Sequence, residues 1–379
     1  MKTDRFETFL DAILAIIITV LVLKLAQPSQ ASLSAIFALR TDYLTYFLSF
    51  LIIFNVWYHN HNLFQIVDEI DNRVIEIYAF FIFVLSLLPY FASWLGRDLY
   101  CLPAEICYGL IFVIINILYI YSIRAVFKSD RYNQKLREMD YNPVSLYLPL
   151  AVILIGFAIS MMGFTPGIYI SCLVSVTCWM VLSKSKRKDV EMDSGRFEAL
   201  VDAIVAIILT VIVLEISMVS TNTWQGLFDL KLEFIAYAIS FIVCFSYWNI
   251  NNNTFSLVNK INSQVIWSVA VSLFFLSMIP YLTIFVSQNF TSLLAQSAYG
   301  IVFLIIMLLS PLRSYVLMKA DPDNEALQRI AGNYAPIIIN VLIVLIGFAI
   351  AFAFYPPAII FSCLLAIAVV KIYMRLWFE

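Results

Sequence analysis

Charge is what this sequence has least of. Only 13% of its 379 residues are Asp, Glu, Lys or Arg, while 63% are hydrophobic and the mean hydropathy is +0.92. Too little polar surface is available to clothe a soluble domain, so the chain reads as a polytopic membrane protein whose constant partner is the lipid bilayer. The net charge of −2 says nothing useful about partners, and no nucleic-acid partner is expected of such a membrane protein. Histidine is scarcer still, with His59 and His61 alone. Two residues apart on a helix, they point about 160° from each other, which is a poor metal pair, and no metal or cofactor is expected. The six cysteines (Cys101, Cys107, Cys172, Cys178, Cys244, Cys363) form no CxxC and no framework spacing; they read as small hydrophobes, with only Cys101 and Cys107 near a loop. Walker, zincin and nucleophile-elbow patterns are missing, so the chain is not expected to be an enzyme. No span carries spaced arginines, which excludes a voltage sensor. No TVGYG-like loop occurs, which excludes a filter built from carbonyls.

What the chain has in abundance is long apolar runs, and one of them occurs twice. Arg5 to Leu23 reads RFETFLDAILAIIITVLVL, and Arg196 to Leu214 reads RFEALVDAIVAIILTVIVL. Aligned without a gap, 13 of 19 positions agree, at an offset of 191 residues. Each run is long enough to cross the ~30 Å hydrocarbon core as a helix. Recurrence in mid-chain argues that the first run is a mature helix and not a leader peptide.

On a helical wheel with Ile16 at zero, Phe9, Ala12, Thr19, Val20 and Leu23 fall within about 60° of it. The corresponding stripe in the second copy is Leu200, Ala203, Ile207, Thr210, Val211 and Leu214. Asp11 lies about 140° from Ile16, and Asp202 takes the same place behind the second stripe. A carboxylate in a membrane helix is costly unless it finds a donor or water, so both acids are anchors by default.

Apolar runs bounded by charge and turn residues predict six helices at 6–26, 35–63, 74–96, 103–126, 143–163 and 166–184, and six more at 197–217, 229–254, 264–287, 291–318, 334–354 and 357–377. The offset of 191 also relates Trp57 to Trp248, Pro89 to Pro280, Gly109 to Gly300, Gly156 to Gly347, Pro166 to Pro357 and Cys172 to Cys363. The fold class is therefore all-α, with 12 transmembrane helices as two parallel six-helix repeats, 1–184 and 196–379, joined by a charged cytoplasmic linker at 185–195. With six spans per repeat both termini share one side. Of the 23 Lys and Arg residues only Lys24, Arg40, Arg97 and Lys231 fall on the other, which puts both termini in the cytoplasm.

The second helix ends in a polar cluster, with Trp57, His59, Asn60 and His61 in the first repeat and Trp248, Asn251 and Asn252 in the second. It is placed to reach the acid of the first helix, and its plainest reading is a structural hydrogen-bond network around Asp11 and Asp202. A pH-sensing role for His61 is confined to one repeat, because Asn252 stands at the matching place. Pro89 and Pro280 are expected to kink the third helix of each repeat. Gly156 and Gly347 permit close helix contact.

These residues resemble the transmembrane protein 175 family, endolysosomal potassium channels and their prokaryotic relatives. The likeness lies in the doubled RFxxxxDAIxAIIxT helix, the Trp with its His/Asn cluster, the LLPY of the third helix, and the two six-helix repeats. The resemblance implies a homodimer in which four first helices surround one axis as a pseudo-tetrameric pore, passing potassium ions as a leak and, in some members, protons. It puts the constriction at Ile16, Leu23, Ile207 and Leu214, and the remaining lining at Ala12, Thr19, Val20, Ala203, Thr210 and Val211. Lys24 and Glu215, at matching positions past the stripe, are expected to pair at the non-cytoplasmic rim. The membrane is the plasma membrane in a prokaryote and that of endosomes or lysosomes in a eukaryote. The competing reading is a proton-coupled secondary transporter that uses Asp11 and Asp202.

Overall fold

A computed structural model describes residues 3–137, 143–182, 194–258 and 260–378. Among the described residues there are seventeen helices and no strand. The first half holds α1 (Asp4–Leu23), α2 (Leu33–Ala38), α3 (Arg40–Phe64), α4 (Asn72–Arg97), α5 (Leu102–Ser129), α6 (Gln134–Arg137), α7 (Pro143–Met161) and α8 (Gly167–Leu182). The second holds α9 (Ser194–Leu214), α10 (Trp224–Asp229), α11 (Lys231–Phe255), α12 (Ser263–Ser277), α13 (Ile279–Gln288), α14 (Leu293–Ala320), α15 (Glu325–Ala331), α16 (Ala335–Ala353) and α17 (Ala358–Phe378).

Helix is the form a membrane permits these sequences, because it satisfies every backbone polar group within the segment. Ten segments are long and apolar enough to cross a bilayer, counting α12 with α13 and α15 with α16 as single stretches. Two further helices complete six per repeat. The polar cluster from Asn55 to Asn62 dilutes α3, and α8 has only 16 residues. Where the sequence offers a cap, the helix starts there: Asp71 accepts from the Val74 N–H at the head of α4, and Asn262 from the Val265 N–H at the head of α12.

Both halves pack by one scheme. α3 touches α1, α4 and α8, while α5 touches α4, α7 and α8. In the second half α11 and α14 take those two central places. The same side chains knit the same seams. Ser49 and Tyr108 share a hydrogen bond of 3.0 Å, as do Ser240 and Tyr299. Gly109 brings α5 against Ile168 and Phe157, and Gly300 brings α14 against Ile359 and Phe348. Gly156 and Gly347 lie against the hydroxymethyl groups of Ser171 and Ser362. Small residues at these crossings let backbones approach, which is how membrane helices gain packing energy when lipid offers no hydrophobic drive.

Two compact units emerge: Met1–Ala26 with Ala38–Val190, and Gln27–Phe37 with Glu191–Glu379. The segment between α1 and α3 thus belongs to the unit built mostly from the second half. The expected linker at 185–195 lies outside the described residues except for Ser194 and Gly195, which begin α9.

Three expectations are corrected in detail. The helix expected over 35–63 is two helices, broken at Leu39, so the spanning part begins at Arg40. An apolar window from Ala35 to Leu39 hides that break, since neither Gly nor Pro marks it. The two third helices respond differently to their prolines. Pro89 sits inside an unbroken α4, whereas α12 ends at Ser277 and α13 begins at Ile279, with Pro280 in its first turn. Proline lacks the N–H that would continue the ladder and is well suited to a first turn. The loops before the fifth helices hold α6 and α15, which carry no apolar run to announce them.

Candidate functional site

The packing of α1 decides which of its faces is left open. Held against α3 and α4, it buries Leu10, Leu14, Ile17, Ile18 and Leu21. Phe9, Ala12, Ile16 and Leu23 are exposed, and Val20 is half-buried. Thr19 is the exception on the expected stripe. It lies at the stripe's edge, its side chain is buried, and its hydroxyl donates to the carbonyl oxygens of Ile16 at 2.8 Å and Ala15 at 3.2 Å. Asp11 is buried on the far side, where Oδ1 accepts from Trp57 Nε1–H at 2.9 Å.

α9 repeats the acid contact but not the exposure. Asp202 Oδ1 accepts from Trp248 Nε1–H at 2.7 Å, yet Asp202 is itself exposed. Thr210 and Leu214 are exposed, Ala203 and Ile207 half-buried, and Leu200 and Val211 buried. The open side of α9 is centred on Ala206, Thr210 and Val213, roughly a quarter turn from the expected stripe. Periodicity fixed one helical face for both copies; the neighbours of each copy decide how much of that face is covered.

The polar cluster of α3 is assembled around Trp57. Its ring stacks on His61, with centroids 4.9 Å apart and planes 16° from parallel. His61 Nε2 shares a hydrogen bond of 2.8 Å with Gln65 Nε2. Asn60 Oδ1 accepts from the Tyr78 hydroxyl at 2.9 Å, tying α3 to α4. The structure therefore joins Asp11, Trp57 and His61, and one turn along α3 it pairs Asn60 with Tyr78, a residue that no sequence signal singled out. Among the described residues of the second repeat, only the tryptophan contact of this cluster survives intact. Val269 replaces Tyr78, so Asn251 is buried with neither amide atom hydrogen-bonded, and Asn252 is exposed.

His59 stands apart from this cluster. It stacks on Trp179 with centroids 4.7 Å apart and planes 5° from parallel. The two histidines thus serve different packing surfaces, as their spacing required. Among the described residues no group of three or more His, Cys, Asp or Glu is placed to hold a metal ion. Lys24 caps the C-terminal end of α1 and is exposed, and its carbonyl accepts from the Ser93 hydroxyl at 3.3 Å. Glu215, just past α9, is half-buried.

Four buried charges inside the expected spans, Glu7, Asp42, Glu105 and Arg313, escaped the sequence reading, and the last two are the most deeply set. Glu105 lies in the first turn of α5 and is fully buried. Its Oε1 accepts from the Ile168 and Tyr169 N–H groups at 2.6 and 3.2 Å, capping the positive end of α8. Arg313 of α14 is buried over the Tyr247 ring, with Cζ 5.7 Å from the centroid. Either could have been found by the rule that exposed Asp11, since each is an ionisable residue inside an apolar run.

Chemically, the open face of α1 is aliphatic and aromatic and offers an ion no ligand. Four such faces around an axis would strip water rather than replace it. The acids stand behind that face or at its edge, each held by an indole N–H.

Comparison with known proteins gives this geometry a family. The endosomal/lysosomal potassium channel TMEM175 family matches residues 5–89 and again residues 196–280, the same offset that relates the two repeats. Potassium channel HX13_20290 of Chryseobacterium sp. (strain P1-3) is 30% identical over 165 residues, which is 44% of this chain and 85% of the relative. Potassium channel Cha6605_3372 of Chamaesiphon minutus (strain ATCC 27169 / PCC 6605) is 27% identical over 127 residues, 31% of this chain and 63% of the relative. Potassium channel B446_29190 of Streptomyces collinus (strain DSM 40733 / Tue 365) is 27% identical over 120 residues, 30% of this chain and 58% of the relative. These matches, the doubled first helix and its tryptophan-held acid have one common source: the chain is an integral, multi-pass membrane protein of the endosomal/lysosomal potassium channel TMEM175 family.

Proposed function

We propose that this protein is a potassium-selective leak channel, a homodimer in which α1 and α9 of two copies surround a central pore. The observation that carries the reading is the open face of α1. A helix in the most repeated stretch of the chain leaves Phe9, Ala12, Ile16 and Leu23 exposed while turning Asp11 inward to Trp57. The constriction is formed by Ile16, Leu23, Ile207 and Leu214, and Lys24 alternates with Glu215 at the non-cytoplasmic rim. The positive-charge bias of the loops supports cytoplasmic termini. Two parallel repeats, 1–184 and 196–379, supply four equivalent helices from two chains. A transporter that binds protons at Asp11 is disfavoured by the burial of that acid against an indole donor.

Bi-ionic reversal-potential recording of the purified protein in a planar bilayer tests the proposal, with a pH gradient applied in the same membrane to measure proton current. A steady current that reverses on the potassium-selective side supports it. Silent bilayers, or flux coupled stoichiometrically to protons, would sink it.

A further inference from the structure

The two repeats carry similar residues at matching places but do not cover them equally. Tyr281 and Phe285 of α13 are 4% and 2% exposed, whereas their counterparts in α4, Tyr90 and Trp94, are 64% and 37% exposed. Sequence does not account for the contrast, since tyrosine stands at both first positions and an aromatic residue at both second ones. What differs is the layer laid over them. The second unit includes the segment Gln27–Phe37, which joins α1 to α3 and contains α2. Within that unit Gln27 donates from Nε2 to the carbonyl oxygen of Tyr281 at 3.1 Å.

The matching segment of the second repeat, 218–228, lies between α9 and α11 and holds all but the last residue of α10. It has no such seat. Met218, the counterpart of Gln27, is 88% exposed where Gln27 is half-buried, while Trp224 and Phe228 of α10 are exposed just as their counterparts Leu33 and Phe37 are. One chain therefore holds a filled pair, segment 27–37 with its seat at Tyr281. It also holds an unfilled segment and an unfilled seat that are the counterparts of that pair.

We infer that the two unfilled halves meet between two copies of this chain, so that residues 218–228 of one protomer lie over Tyr90 and Trp94 of its partner. A two-fold axis makes the contact reciprocal, and each copy supplies one segment and one seat. The occupant is a second copy because the chain already makes this contact once with its own repeat-equivalent residues. Methionine in place of Gln27 makes the second contact apolar. The inference rests on the homodimer reading and adds to it which surfaces meet.

The test uses full-length chains in which the half-buried Cys101, Cys107 and Cys178 are replaced by serine. A chain carrying Met218→Cys and a chain carrying Tyr90→Cys, each with its own tag, are co-expressed and treated in native membranes with a short bismaleimide. The expected product has twice the chain's mass and bears both tags, at several-fold the yield seen when either variant is expressed alone. Light scattering on the untreated protein reports the number of chains per particle. A two-chain particle without the mixed product overturns this interface and leaves the dimer standing. A one-chain particle overturns the interface and the dimeric pore together.

Discussion

A carboxylate inside a membrane helix is tolerable only while something donates to it, and here the donor is the same residue twice. Trp57 gives its indole N–H to a buried Asp11, and Trp248 gives the same N–H to an exposed Asp202. The difference in exposure sets the difference in cost. Replacing Trp57 with Phe keeps most of the packing but takes one donor from a buried carboxylate, which costs about 1–3 kcal/mol. Water reaches Asp202 after the matching Trp248→Phe change, so the loss there is smaller. Thermal melts of the two variants in detergent measure the contrast; equal losses would mean the indole bonds are not what holds the acids. The two acids and their tryptophans were legible in the sequence because an acid in an apolar run and a duplicated tryptophan are each conspicuous. Tyr78 was not legible, because a tyrosine near the end of a membrane helix is ordinary and only the fold carries it to Asn60.

Helices as units were legible wherever an apolar run met a charged or capping residue, as at Asp71 and Asn262. Breaks inside apolar stretches were not, since Leu39 interrupts a helix without any residue that demands it. The paired glycines give a test of how far repeat symmetry extends into packing. A Cβ built on Gly109 meets the ring of Phe157 at 2.9 Å and comes closer still to Ile168. One on Gly300 meets Phe348 at 2.9 Å and likewise presses on Ile359. Both obstacles are side chains of the hairpin formed by the last two helices of the repeat, so each hairpin must shift to admit a methyl group. Gly109→Ala and Gly300→Ala are each expected to destabilise the fold by about 1–3 kcal/mol, and by similar amounts. Size-exclusion thermostability of the tagged proteins reads both. A neutral result at one site alone would show that the two hairpins are held differently despite matching distances.

At the scale of the whole molecule the pore reading turns on what a ring of isoleucines does to water. Ile16 is exposed on α1 and Ile207 half-buried on α9, and two chains would bring four of these side chains around one axis. Hydrocarbon offers no partner to an ion's hydration shell, so such a neck would be dry and passage would require partial dehydration. Potassium holds its water less tightly than sodium, and a dry neck favours it without any cage of carbonyls. The sequence made the stripe of α1 legible through its period, but not the quarter-turn offset of the open side of α9. It could not show that Thr19 turns its hydroxyl back onto its own helix, because the residue lies at the stripe's edge, where neighbours decide. A threonine spent on backbone carbonyls leaves the open stripe of α1 aliphatic and aromatic, so in the proposed pore those side chains would have to sort ions. Replacing Ile16 and Ile207 together with Asn supplies donors and acceptors to the neck, wets it, and admits hydrated sodium. The variant is expected to assemble as the parent does, to carry a larger current, and to show a potassium-to-sodium permeability ratio that falls toward ~1, as a wetted neck requires. Single-channel recording under bi-ionic conditions measures both quantities. An assembled variant that is silent, or that keeps the parent's ratio, would remove Ile16 and Ile207 from the filter and move the constriction to Leu23 and Leu214, whose side chains are exposed about two turns further along the same helices.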